Sequence, residues 1–116
     1  MNDKILSMTG MAKRAGKISA GSFGCEQSIK SGAARLVIIA ADASENTRKS
    51  ITDSCRFYKV PFIEYSDMIS LGRCIGTDER AVISVNDNNF ASAISDRYNQ
   101  SFREMEERVM SIWQKL

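Results

Sequence analysis

Leu36-Val37-Ile38-Ile39-Ala40-Ala41 is the longest apolar run in the chain, and its reading decides the fold class. Six apolar residues without polar alternation are too few for a buried helix and suit a strand covered on both faces. Such a strand needs helices above and below its sheet, and the flanking sequence supplies them. Upstream, a helix with Ser22 as N-cap carries Cys25 and Ile29 inward and closes at Ser31-Gly32, with Gly24 weakening its first turn. Before it, Lys17-Ile18-Ser19-Ala20 reads as a short extended piece. Asp3 caps a first helix that repeats Ile5, Leu6, Met8, Met11 and Ala12 at helical spacing and ends at Ala15-Gly16. Downstream, Ser44 caps a third helix with Ile51, Cys55 and Tyr58 on one stripe, and Pro61 ends it before Val60. Phe62-Ile63-Glu64-Tyr65 reads as a second core strand, followed by a short helix, Met68 to Leu71, that Ser66-Asp67 opens and Gly72 closes. Ala81-Val82-Ile83-Ser84-Val85 is a further strand, and Asn86-Asp87-Asn88-Asn89 turns into a last helix. Strands alternating with helices predict a layered α/β domain.

The last helix outruns that domain. Phe90, Ile94, Tyr98, Phe102, Met105, Val109, Ile112 or Trp113, and Leu116 step by three or four residues. From about Ser101 the stripe is expected to lie on the domain, to bury itself against another chain (a homo-oligomer included), or to fray as a tail. The division expected is a domain over 1–100 and a helical extension over 101–116.

The 116 residues, 43% hydrophobic and 26% charged, make one globular domain that buries about two-thirds of its unfolded surface. No apolar run approaches the roughly 20 residues of a membrane span, and no basic segment leads into an apolar stretch near Met1. A cytoplasmic chain without membrane contact is expected. The absence of histidine excludes Ser-His-Asp and Cys-His catalysis and the usual near-neutral acid–base group. Cys25, Cys55 and Cys74 form no CxxC pair and read as reduced core fillers. No metal or cofactor is expected.

Several local patterns bear on chemistry. Asp42, at the end of a strand, lacks the acidic pair that a phospho-accepting or magnesium site needs, so it reads as a helix cap or loop contact. Gly21-Ser22-Phe23-Gly24 is GxxG rather than a dinucleotide fingerprint, yet a glycine pair opening a helix can bring backbone N–H groups close to phosphate. Cys25 has no histidine or resolving cysteine beside it. The Asn99-Gln100-Ser101 sequon is moot in a cytoplasmic chain. Charge is uneven: residues 1–59 hold ten Lys/Arg and five Asp/Glu, and residues 60–116 hold six and nine. Any polyanion-facing surface therefore belongs to the N-terminal half.

Lys17-Ile18-Ser19-Ala20-Gly21, Ser31-Gly32-Ala33-Ala34-Arg35 running into the apolar strand and Asp42, Val60-Pro61-Phe62, and Leu71-Gly72-Arg73-Cys74-Ile75-Gly76 follow in that order. The set resembles the ribosomal protein family that binds kink-turn RNA, the archaeal seven-A-e and eukaryotic thirty-e type, and most of all its small bacterial YlxQ-type branch. The resemblance implies a three-layer α/β/α sandwich with a four-stranded mixed sheet and an extended C-terminal helix. It also implies binding of structured RNA, ribosomal or other, without catalysis and in association with the ribosome or translation. By position, the implied RNA face is Gly21, Ser22, Phe23, Gly24, Gln27 and Lys30, with Asp42 and the segment from Arg73 to Arg80. Lys13, Arg14, Lys17, Lys30, Arg35 and Arg73 are expected to hold phosphates, while Phe23 and Gln27 touch bases. Family members carry G-x-N-E-x-x-K at the start of the second helix. Gly21, Phe23, Gly24 and Gln27 stand there, so the kink-turn signature is largely missing. The alternative is a family-shaped scaffold that does not bind RNA and works through protein contacts of its long last helix.

Overall fold

In the computed structural model, which describes the backbone of residues 3–115 and the side chains of residues 3–110, nine elements alternate along the chain. They are α1 (Lys4–Arg14), β1 (Ile18–Ala20), α2 (Gly21–Ser31), β2 (Leu36–Ile39), α3 (Glu45–Tyr58), β3 (Phe62–Glu64), α4 (Met68–Cys74), β4 (Val82–Val85) and α5 (Asn88–Lys115). The strands form one mixed sheet in the order β1-β4-β2-β3. β4 runs antiparallel to both neighbours, while β2 and β3 are parallel. Helices α2 and α3 pack together on one face, and α1 packs with α4 and α5 on the other. This is the expected three-layer sandwich.

The central strands explain why it holds. Every residue of β2 and β4 is buried, as the unbroken apolar run requires of a strand sandwiched between helices. Ile29, Ile51, Leu71 and Ile94 reach that sheet from α2, α3, α4 and α5. The helix starts are fixed locally. Asp3 Oδ1 accepts the Leu6 N–H at 3.0 Å, Ser44 Oγ the Thr47 N–H at 3.2 Å, and Asp67 Oδ1 the Ser70 N–H at 2.8 Å. Caps of this kind contribute about 1 kcal/mol each.

Four expectations are corrected. β2 ends at Ile39, although the next two amides still bond across the chain, Ala40 N–H to Ala81 O and Ala41 N–H to Ser66 O. β3 lies at the sheet edge and is half-buried rather than core. α4 does not stop at Gly72 but continues to Cys74. Ser22 is no cap, because β1 passes into α2 with no intervening loop and Ala20 takes the N-cap position.

Tyr58 and Met11, expected to face inward, are each 43% exposed. Met11 lies on the side of α1 opposite Ile5, Thr9 and the fully buried Ala12, whereas for Tyr58 the reason is length. A helix of 14 residues spans about 21 Å, whereas strands of three or four residues span about 10–13 Å, so helix ends overhang the sheet. The same mismatch carries α5 off the domain. Ile94 is fully buried and Tyr98 packs edge-on against Tyr65, but Phe102, Met105, Val109 and Met110 are exposed. The distal stripe therefore does not lie on the domain. Ile112, Trp113 and Leu116 fall outside the described side chains.

Candidate nucleic-acid interface

Strand register decides which loops meet. Ala20 pairs with Ile83 and Ile39 with Val82, so the ends of β1 and β2 lie beside the start of β4. The β1-to-α2 turn at Gly21, the segment after β2 with Asp42, and the segment before β4 with Arg80 consequently share one end of the sheet. Gly21, Ser22, Phe23 and Gly24 are there; Arg73 is on α4, which starts from that end, and Gln27 sits one turn further along α2. The other end holds the rest of the expected residues. There Asn86 N–H donates to Lys17 O at 2.8 Å, and Arg35 N–H donates to Val85 O at 2.9 Å. Helices α1 and α2 run toward that end and carry Lys13 there with Lys17 and Arg35, while Lys30 lines one groove with Gly24 and Gln27 and the Arg14 guanidinium folds back beside Gly10 and Cys74. Lys13, Lys17 and Arg35 do not form one surface with the helix mouth. They form a second one.

The mouth has one electrostatic peculiarity. Side-chain oxygens bond first-turn amides in α1, α3, α4 and α5, where Asp87 Oδ2 accepts the Phe90 N–H at 2.9 Å. In α2 the N-cap is Ala20, and no side chain satisfies those donors. Gly21 sits in the left-handed region at φ +83°, which turns the chain from strand into helix. Phe23 follows with 76% of its surface exposed. An open groove of about 660 Å³, lined by Ser19, Gly24, Gln27, Ser28, Lys30 and Ser31, continues down the side of α2.

Asp42, Asp67 and Glu64 are engaged internally, whereas Asp78 and Glu79 are exposed just before Arg80. Asp42 Oδ1 accepts the Met68 N–H at 2.9 Å and so braces the segment after β2 against α4. Asp67 is held below the usual carboxylate range, chiefly by the Ser70 N–H, with the Arg73 charge adding to it. Glu64 pairs with Arg48, whose second amino group donates to Ala41 O at 2.8 Å. Arg80 donates to Glu79 O at 2.9 Å. Gly72 lets this corner close, since a β-carbon there would stand 1.9 Å from Asp78 O.

A model of the Ribosomal protein L7Ae/L30e/S12e/Gadd45 family matches residues 3–95. The chain belongs to this family. It is similar to the RNA-binding protein YlxQ of Bacillus subtilis (strain 168), 39% identical over 87 residues that cover 75% of this chain and 87% of that one. The RNA-binding protein YlxQ of Enterococcus faecium is 36% identical over 88 residues, covering 76% and 84%. Among solved structures, a protein of unknown function from Bacillus halodurans superposes with a TM-score of 0.77 at 34% identity, over 80% of this chain and 94% of its own. The Giardia lamblia 15.5kD RNA binding protein shares the fold at 21% identity, with a TM-score of 0.70 over 84% and 89%.

Within this L7Ae/L30e/S12e/Gadd45 chain, what orients α2 is a polar cluster that sequence reading missed. Asn86 Nδ2 donates to Ser19 Oγ at 2.9 Å, while Asn86 Oδ1 accepts from Ser84 Oγ at 2.6 Å. Ser19 and Ser28 hydroxyls meet at 2.7 Å, so β1, β4 and α2 are joined in one network. On the outer side, Glu26 accepts from Ser50 and Ser54 of α3 at 3.3 and 2.8 Å. Isolated serines carry no periodic signal, so only the polar interruption of an apolar strand at Ser84 could have hinted at the cluster. The cysteines are inert by contrast. Burial pushes the Cys25 thiol up to about 12 and the Cys55 and Cys74 thiols to about 11. Among the described residues no group of His, Cys, Asp or Glu is placed to hold a metal ion, and no helix is long and apolar enough to cross a membrane.

Proposed function

We propose that this protein binds structured RNA without catalysing a reaction, as a cytoplasmic component associated with ribosomes or translation. The observation that carries the reading is the uncapped start of α2 beside an exposed Phe23, in a chain of a ribosomal-protein family whose curated relatives are named RNA-binding proteins. Unsatisfied amides at a helix N-terminus suit a phosphate or a base-edge acceptor. Phe23 supplies a stacking surface for an unpaired base, and Gln27 a donor and an acceptor for a base edge. Arg73 and Arg80 flank the site as phosphate contacts, and Asp42 acts through its brace on α4.

Replacement of the family's Asn, Glu and Lys by Phe23, Gly24 and Gln27 removes a bidentate amide, an acceptor and a charge. Kink-turn RNA should therefore compete no better than another folded RNA of equal length. The test is RNA binding by Phe23→Ala. Loss of one stacked base costs about 1–3 kcal/mol, so affinity should fall about 5- to 150-fold with Tm unchanged. Unchanged affinity for every structured RNA that the wild type binds would remove Phe23 from the site.

The exposed Phe102, Met105 and Val109 favour a second reading, in which α5 associates with another helix, that of a second copy included. Sedimentation of the full chain against a chain truncated after Gln100 tests it. Loss of a dimer on truncation supports that reading, and a monomer in both cases rejects self-association.

A further inference from the structure

The end of the sheet opposite the α2 mouth gathers cations from elements far apart in sequence. Lys13 and Arg14 end α1, Lys17 precedes β1, Lys30 is in the last turn of α2, Arg35 precedes β2, and Lys59 caps α3. Lys17 and Arg35 flank Asn86 across three adjacent strands, about 10 Å apart by strand spacing. The start of β2 also meets the end of α3, since Val37 N–H donates to Pro61 O at 3.0 Å. Lys13, Arg14, Lys17, Arg35 and Lys59 are in no ion pair among the described residues, and Lys30 approaches Glu26 only at 4.0 Å. The acid in the connections at this end is Asp87, which is occupied in capping α5.

Helix dipoles account for part of this charge. The C-termini of α1, α2 and α3 each contribute roughly half a negative charge, and the start of α5 returns roughly half a positive one. The Arg14 guanidinium folds back beside Gly10, and the five remaining side-chain cations still exceed that compensation several-fold. The last turn of α3 adds a second, independent feature. Phe57 is 78% exposed and Tyr58 43%, their rings in edge contact at 4.9 Å, between Arg56 and Lys59. Large aromatics left in water among unpaired cations are the combination that tracks a phosphate backbone while stacking its bases.

We propose that this basic end is a second RNA-binding surface, one that holds an unpaired stretch of RNA without sequence preference. It rests on the RNA reading of the protein and divides the work. The mouth of α2, with four exposed or half-exposed uncharged residues from Gly21 to Gly24, selects. The basic end supplies the salt-dependent affinity. The 11 residues of α2 put the two surfaces about 16 Å apart, within reach of two segments of one RNA.

The test uses the full chain, a fluorescein-labelled 15-nucleotide uridine RNA, and anisotropy across a salt series. The triple variant Lys17→Gln, Arg35→Gln, Lys59→Asn removes three charges at exposed positions, and asparagine accepts the left-handed backbone of Lys59 at φ 60°. Single-stranded binding loses about 0.7 in salt slope per contact. The triple variant should thus lower the slope by about 2 and affinity at 0.1 M salt by about 100-fold, and Phe57→Ala should lower it about tenfold. Phe23→Ala should cost this probe far less than the triple variant does and leave the salt slope at the wild-type value, since it removes no charge. The opposite pattern, with Phe23→Ala losing the oligomer and the triple variant keeping it, overturns the second surface while RNA binding at the mouth stands. A wild type that ignores the oligomer but binds vesicles of 30% phosphatidylserine, and loses them in the triple variant, makes the face a membrane contact and overturns the proposal. A wild type that binds neither this oligomer nor any structured RNA overturns the proposed function as well. Matching circular dichroism and Tm for all variants keep these outcomes distinct from unfolding.

Discussion

Gly72→Ala is expected to destabilise the domain by about 3 kcal/mol, the upper end of the usual cost of overpacking. The added β-carbon would stand 1.9 Å from Asp78 O and 2.8 Å from Glu79 Cα, and both are backbone atoms that no rotamer change can move away. Relief requires the Thr77–Glu79 segment to lift off α4. That breaks the bond from Thr77 N–H to Gly72 O at 2.9 Å and loosens the hold of Met68 O on the Arg80 N–H. At about 4 °C per kcal/mol, Tm should drop by about 12 °C. Gly24→Ala is the contrasting control. Its β-carbon would meet nothing nearer than Ser19 Cβ at 3.8 Å, and alanine improves a helix interior, so stability should hold or rise by up to about 1 kcal/mol. Urea unfolding of both variants decides it. Equal stability of Gly72→Ala and wild type would mean that the corner opens freely, and Arg80 could not then be held as a fixed contact.

The fold was legible because its strongest signals are local. Leu36–Ile39 is apolar on both faces, Asp3, Ser44 and Asp67 bond the amides a cap should bond, and Gly32 ends α2 in the left-handed conformation. The boundaries that slipped are those set by tertiary context. Gly72 looks like a helix stop from sequence alone, yet it is a close-approach glycine whose neighbour, six residues on, no local pattern reveals. Phe62-Ile63 looks like core, but strand order, which depends on distant pairing, puts β3 at the edge. Tyr58 follows the inward stripe of α3 and still faces water, because the sheet ends before the helix does.

The candidate site was legible in its parts and not in its assembly. The glycines at the start of α2 stand out in the local pattern, and Phe23 enters as what the family resemblance implies. A linear charge count, however, joined Lys13, Arg14, Lys17, Lys30 and Arg35 to that mouth. In a layered sheet, residues at the two ends of one helix face opposite ends of the molecule. Whether a cation precedes or follows its strand therefore decides which surface it serves. Lys17 and Arg35 precede theirs, whereas Gly21 and Asp42 follow. Lys59 and Phe57 carry no local signal for the same reason, since Arg35 and Lys17 are 22 and more residues away in sequence.

Ile94→Ala should cost about 3 kcal/mol, whereas deleting everything after Gln100 should cost almost nothing. Ile94 is 0% exposed in the main core, so its truncation leaves a cavity that rigid strands β2 and β4 cannot collapse to fill. One turn later Tyr98 still packs against Tyr65, whose hydroxyl donates to Asp3 Oδ2 at 2.7 Å and so ties the end of β3 to the start of α1. Beyond it the stripe changes character. Phe102 is 52% exposed, Met105 57% and Val109 48%, and nothing in the domain covers them. Removing them forfeits little burial and spares the solvent a row of apolar side chains. In thermal unfolding Ile94→Ala should lose about 12 °C, and the truncated chain should melt within about 2 °C of the full one at low protein concentration. A concentration-dependent Tm of the full chain that disappears on truncation would assign the distal stripe to self-association, because only a bound second copy stabilises by mass action. A large concentration-independent loss on truncation would instead place residues after Gln100 within the folding unit, and the boundary between domain and extension would then have to move toward the C-terminus.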